Sequence, residues 1–168
     1  MNQFTTTRWI PVNPDEVEVT GHETIRGVDV ATSVSVYDTP EAVRGSYDAE
    51  TKKLTLDFKY LGGPERLIYE QPKNDIALGI GRTSHRLHHV EIIIDSGTTL
   101  EETKGAEAIE RIENLLKEYV NSTTPRNVSA GSFLAASGVV QHERNRILAS
   151  VVNGNASPRN SDSNDVAE

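Results

Sequence analysis

The stretch RGSYDAETKKLTLDFKY, Arg44 to Tyr60, decides the fold. In its second half Leu54, Leu56, Phe58 and Tyr60 alternate with Thr55, Asp57 and Lys59. A repeat of two places the first set on one face of an extended chain, which is the pattern of a strand with one buried side. Ala49-Glu50-Thr51-Lys52 is a polar connector of hairpin length between that strand and RGSYD. Residues 44–60 therefore predict two antiparallel strands joined by a tight turn.

The same punctuation continues on both sides. Downstream, Leu61-Gly62-Gly63-Pro64 turns the chain, RLIYE and IALGI are short strand candidates, and Gln71-Pro72-Lys73-Asn74-Asp75 separates them. Gly81-Arg82-Thr83-Ser84 then turns into HRLHHVEIIID, His85 to Asp95. Upstream, Val28, Val30, Thr32, Val34 and Val36 share one parity, which predicts a half-buried strand ending at the turn Asp38 to Glu41. Residues 1–16 read as an irregular lead-in anchored by Trp9 and Ile10.

After Asp95 the period changes. Ile109, Ile112, Leu115, Leu116, Tyr119 and Val120 recur at spacings of three and four, with Glu107, Glu110, Arg111 and Lys117 between them. That is an amphipathic helix over residues 99–121, with Thr98 or Thr99 as a cap and Pro125 as a stop. A second helical region follows, with Phe133, Leu134, Val140, Ile147, Leu148 and Val151 as its apolar contacts and Gly138 weakening its middle. From Asn153 onward almost nothing is available to bury, so residues 153–168 are expected to be a disordered tail. The fold class expected is α+β: an antiparallel β-meander sheet packed against a C-terminal amphipathic helix, plus a second short helical segment. The boundaries are a lead-in at 1–16, an α+β domain at 17–122, a helical extension at 123–152 and the tail.

Composition narrows the chemistry. With 168 residues, 36% of them hydrophobic, the chain can fill one modest core. A formal charge of −8 argues against general nucleic-acid or anionic-membrane binding, since phosphate neutralisation needs clustered Lys and Arg. There is no cysteine, so disulfides, thiolate nucleophiles and thiolate metal ligands drop out. No run approaches the roughly 20 apolar residues of a membrane-spanning helix. The N-terminal residues show no signal-peptide pattern, and the expectation is a cytoplasmic protein.

The densest chemistry lies in His85, His88, His89 and Glu91. Read as a strand, neighbouring side chains diverge, and His85 and His89 stand about 13 Å apart on one face. Such rings do not converge on an ion, so no metal and no cofactor is expected. In this reading Val90, Ile92 and Ile94 line one face, which His88 extends toward solvent, while Leu87, His89, Glu91 and Ile93 line the other. His89 and Glu91, two apart, are the one acid–base pair the pattern offers, so His85, His88, His89 and Glu91 are the candidates for any catalysis. GIGRTS, Gly79 to Ser84, has part of a glycine-rich phosphate loop but leads into a strand, not a helix. The surroundings of Ser132 and Ser137 lack a nucleophile elbow. The helix carboxylates Glu107, Glu110 and Glu113 read as a solvated face, Asp48 as a turn residue, and His142, Arg144 and Arg146 as an ordinary charged turn.

Residues 46–96 resemble a small prokaryotic β-rich family of unknown function, with a Tyr-Asp opening (Tyr47, Asp48), an alternating strand (Leu54, Leu56, Phe58) and a Gly-Ile-Glu-Ile-like closing strand. Here Glu91 and Ile92 match that closing pair, while His89 and Val90 stand where the family has Gly and Ile. The resemblance implies a compact β-rich module and a neutralising or regulatory role toward toxin-like proteins, and it carries no catalytic residues. The function expected is thus a non-catalytic protein-binding or regulatory module, whether through a protein partner or self-association. The alternatives are a small enzyme or ligand-binding domain using the His/Glu cluster at the sheet mouth, and a subunit of a homo-oligomeric assembly.

Overall fold

In the computed structural model, which describes residues 8–13, 21–32, 35–95, 99–121 and 128–156, the central hairpin forms as its alternation requires. Strand β4 (Ala42–Asp48) pairs antiparallel with β5 (Lys53–Lys59), from Ala42 opposite Lys59 to Asp48 opposite Lys53. The turn closes with Lys52 at a positive φ of 57° and the Asp48 carboxylate accepting the Glu50 amide at 2.9 Å.

Around this hairpin a six-stranded antiparallel sheet assembles in the order β1-β4-β5-β8-β7-β6. Its other members are β1 (Ile10–Pro11), β6 (Leu67–Lys73), β7 (Ile76–Gly81) and β8 (Leu87–Ile93). β6, β7 and β8 form a meander, and β8 returns to lie against β5. The segment Val28 to Val36, expected to be one half-buried strand, is a strand over Val28–Thr32. β2 (Gly21–Ile25) and β3 (Val28–Thr32) form a separate two-stranded sheet, and residues 36–38 form a turn of 3-10 helix. Val28 and Val36 are exposed. Residues 33–34 lie outside the described residues.

One face of the large sheet carries Val43, Leu54, Leu56, Phe58, Leu78, Val90 and Ile92, all buried in the core. Three helices close this face: α1 (Glu102–Asn121), α2 (Ala130–His142) and α3 (Arg144–Ala156). α1 contributes Ile109, Ile112 and Leu116, as its period predicts. α2 buries Phe133, Ala135, Ala136, Val139 and Val140, and so is apolar around most of its circumference. It starts on Ser129, whose hydroxyl accepts the Ser132 amide at 3.2 Å. The second helical region breaks at Glu143, not at Gly138. Glu143 is buried and receives Arg146 at 2.9 Å across the junction. α3 lies on β4, where Gly45 makes room: a Cβ there would stand 2.9 Å from both Ile147 and Val151. Residues 153–156, expected to begin the tail, complete this helix; the rest of the tail lies outside the described residues.

Tyr60 ties the layers together. Its buried hydroxyl donates to the Leu87 carbonyl at 2.6 Å and lies 2.8 Å from the Ser132 hydroxyl. Ser132 in turn accepts the Leu87 amide at 3.0 Å. No described helix is long and apolar enough to cross a membrane.

Candidate functional site

The opposite face of the sheet carries side chains of the other parity, and none of the three helices packs on it. Strand pairing sets Arg44 beside Asp57, Asp57 beside His89, His89 beside Gly79 and Gly79 beside Tyr69, a single row across five strands. Trp9, immediately before β1, lies over Arg44 with its ring centre 4.4 Å from the guanidinium carbon. Aromatic rings therefore stand at both ends of the row, Trp9 being 36% and Tyr69 60% exposed.

Within the row the charges alternate. Arg44 donates to Asp57 at 3.2 Å, and the other Asp57 oxygen takes His89 Nδ1 at 2.7 Å. His89 Nε2 meets Glu91 at 2.7 Å, and Lys53 reaches the second Glu91 oxygen at 2.9 Å. Both ring nitrogens of His89 thus face carboxylate oxygens, which accept but do not donate. The ring satisfies both only with a proton on each nitrogen, as a cation.

Electrostatics agree with this geometry. Burial opposes the charged form of His89, but hydrogen bonds and charge from Asp57 and Glu91 outweigh it and hold the imidazole above its usual range. Burial likewise opposes the Asp57 anion, yet His89 and then Arg44 keep that carboxyl below its ordinary value. Glu91 follows the same pattern, with His89 and Lys53 outweighing burial. Tyr69 meets the His89 ring edge-on, centroids 5.8 Å apart. It reaches that position because residue 79 is glycine: a Cβ there would stand 2.8 Å from His89 Cβ and about 3.2 Å from the Tyr69 ring.

Of the four residues singled out in the sequence, the structure unites only His89 and Glu91. His88 belongs to a different cluster, because β8 slips register beside β7. Gly79 pairs with His89 but Ile80 pairs with Leu87, so His88 occupies a bulge. Leu87 is consequently core, not part of the open face, and His88 is buried, not solvent-facing. Its Nε2 lies 3.0 Å from Glu65. His85 precedes the strand in a left-handed turn, φ 62°, and its carbonyl accepts the Ser129 amide.

Glu65 explains the loop that resembles a phosphate cradle. Its carboxylate accepts the amides of Thr83 and Ser84 at 2.9 and 3.0 Å, together with the Ser84 hydroxyl and His88. Burial opposes its charge, but these donors prevail and hold it near pKa 2. The turn does gather amides around an anion, and the anion is the chain's own. A serine, a carboxylate and an imidazole meet here, but the carboxylate sits between the other two. A nucleophile needs the imidazole in that middle position.

Asp57, Arg44, Lys53 and Tyr69 are site residues that the sequence by itself does not single out. The alternation within β5 places Lys53 and Asp57 on its polar face, but the pairing of β8 with β5 is not visible there. Among the described residues, no group of three or more His, Asp or Glu is placed to hold a metal ion. No family model, no curated protein and no solved structure matches this chain.

Proposed function

We propose that this protein is a non-catalytic binding or regulatory module that engages a protein partner through the sheet face on which none of the described helices packs. The observation carrying this reading is the state of His89. With both ring nitrogens donated to Asp57 and Glu91, it has no lone pair with which to abstract a proton or bind an ion. The imidazole acts as the central link of the series Arg44–Asp57–His89–Glu91–Lys53, which holds five side chains in fixed positions on a rigid sheet. Pre-ordered polar groups flanked by exposed Trp and Tyr are the composition of a recognition surface, because little side-chain entropy remains to be lost on docking. The resemblance of residues 46–96 to a family linked with toxin-like proteins is in keeping with a neutralising or regulatory partner.

The test is affinity capture with wild-type protein, followed by binding measurements on the partner obtained. Trp9→Ala and Lys59→Glu, on the open face outside the charge series, are expected to weaken binding at least about tenfold, the effect of losing an interface anchor. Glu107→Lys, on the exposed side of α1, should leave it unchanged. Equal affinity in all three variants would remove this face from the function. If instead a copurifying small molecule were turned over and His89→Gln abolished that turnover, the enzyme reading would replace this one.

A further inference from the structure

The geometry points to β6 as a self-association edge, pairing antiparallel with β6 of a second copy of this chain across a twofold axis. The sheet has two ends. β1 is only two residues long and includes Pro11, which has no amide to donate, so that end is blunted. β6 is seven residues long, and among the described residues no strand lies beyond it.

Its hydrogen-bonding direction follows from one contact: the Arg66 carbonyl accepts the Arg82 amide at 2.8 Å, on the β7 side. Peptide groups alternate sides along a strand. Ile68 and Glu70 therefore also bond toward β7, while Leu67, Tyr69 and Gln71 aim N–H and C=O away from the sheet. Pro72 and the register shift between Glu70 and Lys73 close the far end, so the usable template is Leu67 to Gln71. Both large apolar residues at its centre are exposed, Ile68 at 51% and Tyr69 at 60%.

The occupant follows from self-complementarity. With Ile68 on the axis, Leu67 and Tyr69 of the two copies exchange main-chain hydrogen bonds, and their side chains meet as an aliphatic–aromatic cross-strand pair. The same register sets Arg66 opposite the second copy's Glu70, twice over by symmetry, so opposite charges face each other at both ends. Glu70 is already steadied by the Tyr119 hydroxyl. The Trp9 end of the open face stays uncovered, and the substitutions testing this contact differ from those testing partner binding, so the two readings fail separately.

Sedimentation equilibrium and amide exchange on the full chain test it. The 18.4 kDa protomer should form a reversible dimer. Ile68→Lys, which sets like charges at the axis, should weaken it at least about tenfold. Arg66→Glu should weaken it too, and adding Glu70→Arg should restore it. Without any substitution, the amides of Leu67 and Tyr69 should gain protection as concentration rises, and this reading stands even if a variant fails to fold. A monomer at every concentration, a dimer indifferent to Ile68→Lys, or protection independent of concentration would each overturn the assignment.

Discussion

With Asp57 on one ring nitrogen and Glu91 on the other, His89 links its own protonation to folding. Its folded pKa lies above the unfolded value of about 6.5, so the stability it contributes is complete below that value and is lost as pH rises through the folded pKa. Asp57 and Glu91 are displaced the other way. Their contribution is present above the unfolded carboxylate range and disappears as pH falls through their lowered values. Urea unfolding between pH 5 and 9 should therefore show greatest stability near pH 6 and a decline on the alkaline side. His89→Gln should flatten the alkaline decline and, by leaving two carboxylates without their shared cation, cost on the order of 1–3 kcal/mol near pH 6. A ring ¹⁵N spectrum at neutral pH should show both His89 nitrogens protonated; one bare nitrogen would contradict the doubly donated geometry.

At the scale of elements, the alternation of Leu54, Leu56 and Phe58 and the three-four spacing of Ile109, Ile112 and Leu116 report burial locally, so the central hairpin and the long helix are legible in the amino-acid sequence alone. The features that are not legible there depend on distant neighbours. Leu87 and Ile93 share a parity, yet Leu87 is core and Ile93 exposed, because the slip beside β7 reverses the parity at His88. The site is half legible for the same reason: the His89–Glu91 pair is a property of one strand, whereas Asp57 and Arg44 join it only through sheet order. Two substitutions probe these long-range seams. Tyr60→Phe should cost about 1–3 kcal/mol in denaturant unfolding, since the Leu87 carbonyl and Ser132 hydroxyl lose a buried partner. Gly45→Val, pressing on Ile147 and Val151, should cost a similar 1–3 kcal/mol by forcing α3 away from β4. A neutral result at Gly45 would mean the α3 seam yields more easily than a packed core does.

Across the whole molecule the layers are unequal, and stability should follow them. β5, β8 and β7 lie inside the sheet with strands on both sides and three helices above, so their amides open only when the core opens. Among the described residues β2 and β3 have no third strand, and a hairpin of two strands by itself is marginal in water. Native-state amide exchange should therefore divide the chain. Leu56, Leu78 and Val90 should exchange only by global unfolding, with a denaturant dependence equal to that of the whole protein. The amides of residues 21–32 should exchange through local opening at much lower free energy and with little denaturant dependence. This ordering also bears on the pH dependence: His89 belongs to the slow layer, so its titration should appear in global unfolding and leave the opening of the β2–β3 hairpin untouched. If the hairpin amides instead tracked Leu56 through the same pH series, the small sheet would be part of the cooperative core, and the valine parity upstream of Asp38 would reflect packing after all.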